Sequence, residues 1–439
     1  MSEAASSSPR DLARGFVGVT AAAMLGNVFA YVLLLTAARV LHVRDYSAFV
    51  ALMNLLLVGS VPAFALQAVA ARRVATGQVH DLIRVSGGLA LGVGLLFLLL
   101  TPLEVAFLHL PMPMAAIFLA LALPGVAMQG LCQGVWQGHQ RFAALAITTF
   151  AGMLGRSGAA LAGLVLGGTA TSTLGALAAG VSVTAAVCLL KLPRHTRMDS
   201  NEQPSGVEEG ASLIAESSSL LTESAHAAHA YGVFLLLSVM DLLLASHVLD
   251  TRSAAVYAAG SVMTKAALWL PQSVAHVLFA SMTDHGRHRD LFLRAAAAII
   301  VLGAAVVAVC ALAGGLVSVV VAGNQYPELD SDIWLFAALG ACLAVMQFAL
   351  VSGLAIRSGR VTAIIWLAIA AEVGYVLGVD DQNGVRSIIL GVLLLNVVAA
   401  SASLLLRAGL RPASEAETDS DAAAGRGRAA NTGAKPAPS

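Results

Sequence analysis

Four ionisable side chains stand inside long apolar runs: Arg156, Asp241, Lys265 and Glu372. A charge at bilayer depth costs at least about 2.5–3.5 kcal/mol, so it faces a protein interior or a water-filled cavity. Polar groups recur near them at helical spacing, which puts residues three, four and seven apart on one face. Asn27 and Tyr31 make one such pair; Gln129, Gln133, Trp136 and Gln140 make a second stripe; Ser261, Lys265, Gln272 and His276 make a third. This is the chemistry of ligand binding and charge compensation along a pathway, with Asp241 and Glu372 placed to couple an ion or work a gate. A structural ion pair such as Arg156 with Asp241 is the alternative. Amides in membrane helices also bond neighbouring helices. Gly130, Gly134 and Gly138 read as close-packing positions, His276 as structural, and Arg39 as snorkelling to the interface.

The elements that must position these residues follow from composition. The chain has 439 residues, 58% hydrophobic and 11% charged, against about 25% charged in a soluble protein. It reads as an all-α polytopic membrane protein. Twelve spans are expected, at 15–39, 46–70, 83–107, 112–135, 143–167, 171–191, 231–250, 255–280, 291–322, 331–356, 361–379 and 386–406. Loop Lys and Arg fall sixteen on one side and four on the other, before the C-terminal tail is counted. By the positive-inside rule both termini are cytoplasmic. The expected division is a tail at 1–14, a six-helix bundle at 15–191, a cytoplasmic linker at 192–230 with a short helix near Glu216–His229, a second bundle at 231–407 and a disordered tail at 408–439. The halves resemble parallel repeats: Asn27, Tyr46 and Pro62 in the first match Asp241, Tyr257 and Pro271 in the second. Transporters built this way bind near the midplane between halves.

Several classes are disfavoured. No Gly-rich loop ends in Lys-Ser or Lys-Thr, and there is no HExxH or acidic metal cluster. Cys132, Cys188, Cys310 and Cys342 lie in apolar runs and make no CxxC pair, so neither a disulfide framework nor a metal site is expected. The expected outer loops are too short for a membrane glycosyltransferase domain. Net charge is zero, which gives no electrostatic case for nucleic acid. The chain reads as a non-enzyme with no cofactor, coupled if at all to H+ or Na+.

Three stretches resemble the polysaccharide flippases of the multidrug/oligosaccharidyl-lipid/polysaccharide exporter superfamily. The first carries Asn27, Ala38-Arg39-Val40-Leu41, Asp45-Tyr46, Phe49, Pro62, Gln67 and Ala71-Arg72; the second carries Gln137-Gly138 and Arg141-Phe142; the third carries Asp241, Tyr257, Lys265 and Pro271. Ser47 stands where the family usually has Gly, and Ala280-Ser281 where it often has Pro. The resemblance implies a MATE-like exporter fold in a bacterial plasma membrane, moving a polyprenyl-diphosphate glycan outward by alternating access for surface polysaccharide assembly. A polysaccharide polymerase and glycosyltransferases would be its partners. Arg156 and Lys265 would then meet the diphosphate, and Asn27, Tyr31, Gln129, Gln133 and Gln272 the glycan. A cation-coupled drug or metabolite antiporter and a non-transporting scaffold of a polysaccharide synthesis complex are the rival readings.

Overall fold

The computed structural model describes residues 9–77, 82–110, 112–192, 207–280, 288–354, 359–378 and 384–409. All regular elements among them are helical: α1 (Pro9–Val40), α2 (Val43–Gly59), α3 (Val61–Ala75), α4 (Leu82–Phe107), α5 (Met114–Gly138), α6 (Phe142–Met153), a π-helical turn (Leu154–Gly158), α7 (Ala159–Gly167) and α8 (Ala170–Lys191). There follow α9 (Val207–Val248), α10 (Thr251–Ala280), α11 (His288–Leu312), α12 (Gly314–Ala322), two short 3-10 turns, α13 (Ile333–Leu354), α14 (Arg360–Leu377) and α15 (Gly384–Gly409). Eleven stretches among the described residues are long and apolar enough to cross a membrane. The twelfth expected span, 255–280, lies in α10, whose 30 residues reach about 45 Å at 1.5 Å per residue. The side chains of 207–227 and 270–280 are outside the described set, as are the 1–8 tail, residues 193–206 of the expected linker and most of the C-terminal tail.

Three expected elements differ in detail. The 46–70 span breaks at Ser60 between α2 and α3. Pro62 opens α3 and can neither donate to nor clear the carbonyl four residues back; the Ser60 hydroxyl instead donates to the Leu57 carbonyl at 2.6 Å. The 291–322 span breaks before Gly314, so α12 is a separate short helix. The expected linker is helical over 207–230 and not only near Glu216–His229, because α9 runs unbroken from Val207 into the span at Ala228–Val248.

The helices pack in two groups. In the first, α5 is central, against α3, α4 and α8, with α1 on α6. In the second, α13 is central, against α10, α11 and α15, with α9 on α14. The α5–α3 contact is close because a Cβ on Gly130, Gly134 or Gly138 would strike the carbonyl of Ala63, Gln67 or Ala71, respectively. Small residues of this kind let membrane helices approach. Between the groups, α2 lies on α9 and α10, α3 on α9, and α1 on α12.

One end of this junction is closed. Arg39 Nη2 donates to the carbonyls of Val319 and Val320 in the last turn of α12, at 2.9 and 2.7 Å. Gln325 Nε2 donates back to the Arg39 carbonyl at 3.0 Å. Tyr46 meets Tyr326 with ring centroids 5.7 Å apart. His247 stacks on Phe107 at 4.3 Å and its Nδ1 donates to the Phe107 carbonyl at 3.0 Å. Arg39 therefore does not snorkel free. It satisfies carbonyls that a helix C-terminus leaves open, where a cation is also favoured by the helix dipole.

Candidate functional site

The first group holds a cavity of about 420 Å³. Its polar lining is Ser60 and Gln67 from the start and middle of α3, Gln129, Gln133 and Gln137 from α5, and Thr149 and Arg156 from α6 and the π-helical turn. The three α5 amides recur every four residues, so α5 presents one continuous amide row. Exposed Gln137 stands at the mouth, toward the end of the group that carries Arg72 and Arg141, while exposed Phe64 is level with Gly130, which packs on Ala63. Arg156 lies deeper. Among the described residues it has neither hydrogen-bond nor ion-pair partner, and none of the lining residues is a carboxylate.

The amides are not equally free. Gln129 Nε2 donates to the Val181 carbonyl of α8 at 3.2 Å, and Gly152 leaves room for its Oε1. Gln67 Nε2 donates to Gln137 Oε1 at 3.2 Å. Gln133, half-buried, has no partner among the described residues.

The second group holds a buried charged cluster. Tyr257 donates to Asp241 Oδ2 at 3.1 Å. Lys265 Nζ donates to the Ser238 carbonyl and to Ser238 Oγ. Asn396 Nδ2 donates to Glu372 Oε1 and to the Val392 carbonyl. Glu372 Oε2 and Asn396 Oδ1 are buried with no partner among the described residues. Asp241 lies within electrostatic reach of both Lys265 and Glu372, without a direct ion pair to Lys265. The cluster thus gathers Tyr257 and Lys265 from α10, Glu372 from α14 and Asn396 from α15 around Ser238 and Asp241 in the last third of α9.

This arrangement redistributes the expected residues. Arg156, Gln129 and Gln133 share one cavity. Lys265 and Asp241 are in the other group, 7% and 4% exposed. The expected Arg156–Asp241 pair does not form: the π-helical turn packs on α1, α6, α7 and α8, while Asp241 is answered by Tyr257. Ser261 and Lys265 are buried against protein, so the described part of the α10 stripe is not a wet wall. Tyr31 reaches across the junction and meets Trp269 edge-on, centroids 5.7 Å apart; its hydroxyl is buried without a partner among the described residues. Asn27 is half-buried on α1 and outside the cavity lining. The Gln272 and His276 side chains lie outside the described residues.

Residues not expected in the site also take part. Ser60, Gln67, Gln137 and Thr149 line the cavity. The i, i+4 recurrence from Gln129 through Gln137 was the signal for Gln137, while Gln67 needed the α3–α5 contact. Glu104 is buried on α4 with both carboxylate oxygens unpartnered among the described residues.

No family model and no curated protein matches the chain. Solved structures do. The lipid II flippase MurJ in an inward closed conformation aligns with a TM-score of 0.64 at 11% identity, over 89% of this chain and 88% of that one. A Vibrio cholerae MATE transporter, VcmN, aligns at 0.62 and 15%, over 91% and 96%. A MATE crystallised with MaL6 aligns at 0.59 and 14%, over 90% and 95%. The chain has the fold of these transporters.

Proposed function

We propose that this chain is a flippase for a lipid-linked oligosaccharide in a bacterial plasma membrane, working by alternating access between its two helix groups. The observation that carries this reading is Arg156, a guanidinium with no partner among the described residues, on the wall of an amide-lined cavity whose described lining holds no carboxylate. A planar guanidinium suits bidentate contact with a phosphate oxyanion. The amides of Gln133, Gln137 and Gln67 suit a sugar's hydroxyls, which both donate and accept. With both termini cytoplasmic, the cavity mouth faces the cytoplasm and the Arg39 end faces outward. The state described is then open to a substrate made inside and shut outside. Lys265 is committed to Ser238, so in this reading it stabilises the second group and Arg156 alone meets the diphosphate. The fold shared with a lipid II flippase supports the class of substrate.

The test is transport of a fluorescent polyprenyl-diphosphate oligosaccharide by the purified chain in liposomes. Arg156→Ala is expected to abolish flipping while leaving expression and insertion intact. Unimpaired flipping by Arg156→Ala would sink the proposal.

A second reading, cation-coupled antiport, has its own support. Glu372 and Asn396 put a carboxylate oxygen and an amide oxygen with no partner among the described residues into the buried cluster that also holds Asp241. Dye efflux driven by a sodium or proton gradient, lost in Glu372→Gln, would favour it. A glycan flippase with no dye efflux under either gradient would dispose of it.

A further inference from the structure

We propose that the π-helical turn Leu154–Gly158, seated by a backbone contact between Gly155 and Gly180, is what aims Arg156 into the cavity, making Gly155 and Gly180 positioning residues. This rests on the proposed function only in taking Arg156 as the group that meets an anionic ligand.

The argument is one of helical phase. The cavity face of α6 carries Leu145, Thr149 and Gly152, and Arg156 comes next on the same wall. The helix then packs on α8 through Gly155, Ala159, Gly163 and Gly167. A Cβ on Gly155 would strike the Thr184 hydroxyl and crowd the Gly180 carbonyl. One on Gly163 would strike Ala176 and the Ser172 carbonyl; one on Gly180 would strike the Gly155 carbonyl and Ala159. These contacts fix Gly163 on the α8 side.

Leu145 and Gly163 are eighteen residues apart, five whole turns at about 3.6 residues each. In an unbroken α-helix they would share a face. The helix could then not present Leu145 to the cavity and Gly163 to α8 together. A wide π turn absorbs one extra residue and rotates the downstream helix by about 100°. That offset lets α6 keep its cavity face up to Arg156 while α7 turns its small-residue row onto α8. Thr184 is occupied in this contact, donating to the Gly180 carbonyl at 2.7 Å.

The test uses the full chain with its four cysteines changed to alanine and Arg156→Cys introduced. Labelling by a hydrophilic maleimide reads whether position 156 faces the cavity. Gly155→Ala is expected to slow labelling about tenfold, and adding Thr184→Gly, which removes the struck side chain, is expected to restore most of the rate. Gly180→Ala approaches the same contact from α8 and is expected to slow it likewise, so one variant that fails to fold does not end the test. Labelling unchanged by both glycine substitutions overturns the proposal. With Arg156 retained, binding of polyprenyl diphosphate in nanodiscs separates the two readings. If Gly155→Ala moves the labelling but the parent chain binds no polyprenyl diphosphate, the positioning stands and the flippase reading falls.

Discussion

The Arg39 guanidinium lies 2.7 Å from the Val320 carbonyl, and this contact ties α1 of one helix group to α12 of the other. The guanidinium also donates to Val319 and, through Nη1, to its own Leu35 carbonyl at 2.6 Å. In the proposed alternating-access cycle the closed end opens, and these bonds would then break. They are exposed, and a charge-assisted bond there is worth on the order of 1 kcal/mol.

Arg39→Ala is therefore expected to shift the population toward the state open at the Arg39 end by about fivefold. Spin labels at Arg44→Cys and Asn324→Cys, exposed positions on the two groups, would read the distance by pulsed electron resonance. Arg39→Lys is expected to fall between, since an ammonium cannot fork to three carbonyls. An unchanged distance distribution in Arg39→Ala would mean that the apolar ring contacts hold the end shut without it.

The same end is held by a loop that acid should weaken. Arg252 donates to Glu328 at 2.9 Å and to the Gln325 carbonyl at 2.6 Å, and lies over the Tyr326 ring. It thereby holds the segment whose Gln325 and Tyr326 reach Arg39 and Tyr46. The backbone amide of Glu328 itself, then Arg252, keep the Glu328 carboxyl below its usual range. Hydrogen bonds from Ser253, its hydroxyl foremost, do the same for Asp250. Both pKa values are depressed in the folded state. Their contribution is thus complete above the unfolded carboxylate value of about 4 and is lost as pH falls through the lower folded value. The loop's contribution to thermal melts in detergent, read as the difference from a variant lacking both carboxylates, should be constant from neutral pH to about 5 and decline below about 4. Glu328→Gln combined with Asp250→Asn is that variant, and its own acid limb should be flatter. An acid limb identical in the double variant would remove this loop as its source.

Much of the architecture was legible because a bilayer forces apolar helical spans of a set length. The site was legible in part. Arg156, Gln129 and Gln133 stood out as polar residues in apolar runs, and they do share a cavity. Their relation to Asp241 and Lys265 was not legible, because helical spacing gives the face a residue occupies but not the helix that face meets. Asp241 found Tyr257 from α10 as its partner, and Lys265 turned to Ser238 on α9. The breaks at Ser60 and Gly314 and the π turn at Arg156 are tertiary features. The first coincides with Pro62, which in the sequence reads as a repeat position and not as a break. The π turn arises from two packing faces that no single period can satisfy.

The Gly130-Gly134-Gly138 row makes the last prediction. A Cβ on Gly134 would strike the Gln67 carbonyl and sit 2.8 Å from the Ala70 Cβ. Both obstacles lie on a helix that also carries Ser60 and Gln67 into the cavity. Backbone cannot swing aside as a flexible side chain can, so α3 must move off α5. Overpacking of this kind costs typically about 1–3 kcal/mol. Gly134→Ala should lower the melting temperature of the purified chain and loosen the Gln67–Gln137 bond at the cavity mouth. Gly88 on exposed α4 has nothing within 4 Å of its would-be Cβ. Gly88→Ala should accordingly leave the melt unchanged or raise it slightly, since Ala favours the helix. Equal melts for the two variants would show that α3 and α5 are not in backbone contact at Gly134, and the cavity walls would have to be redrawn.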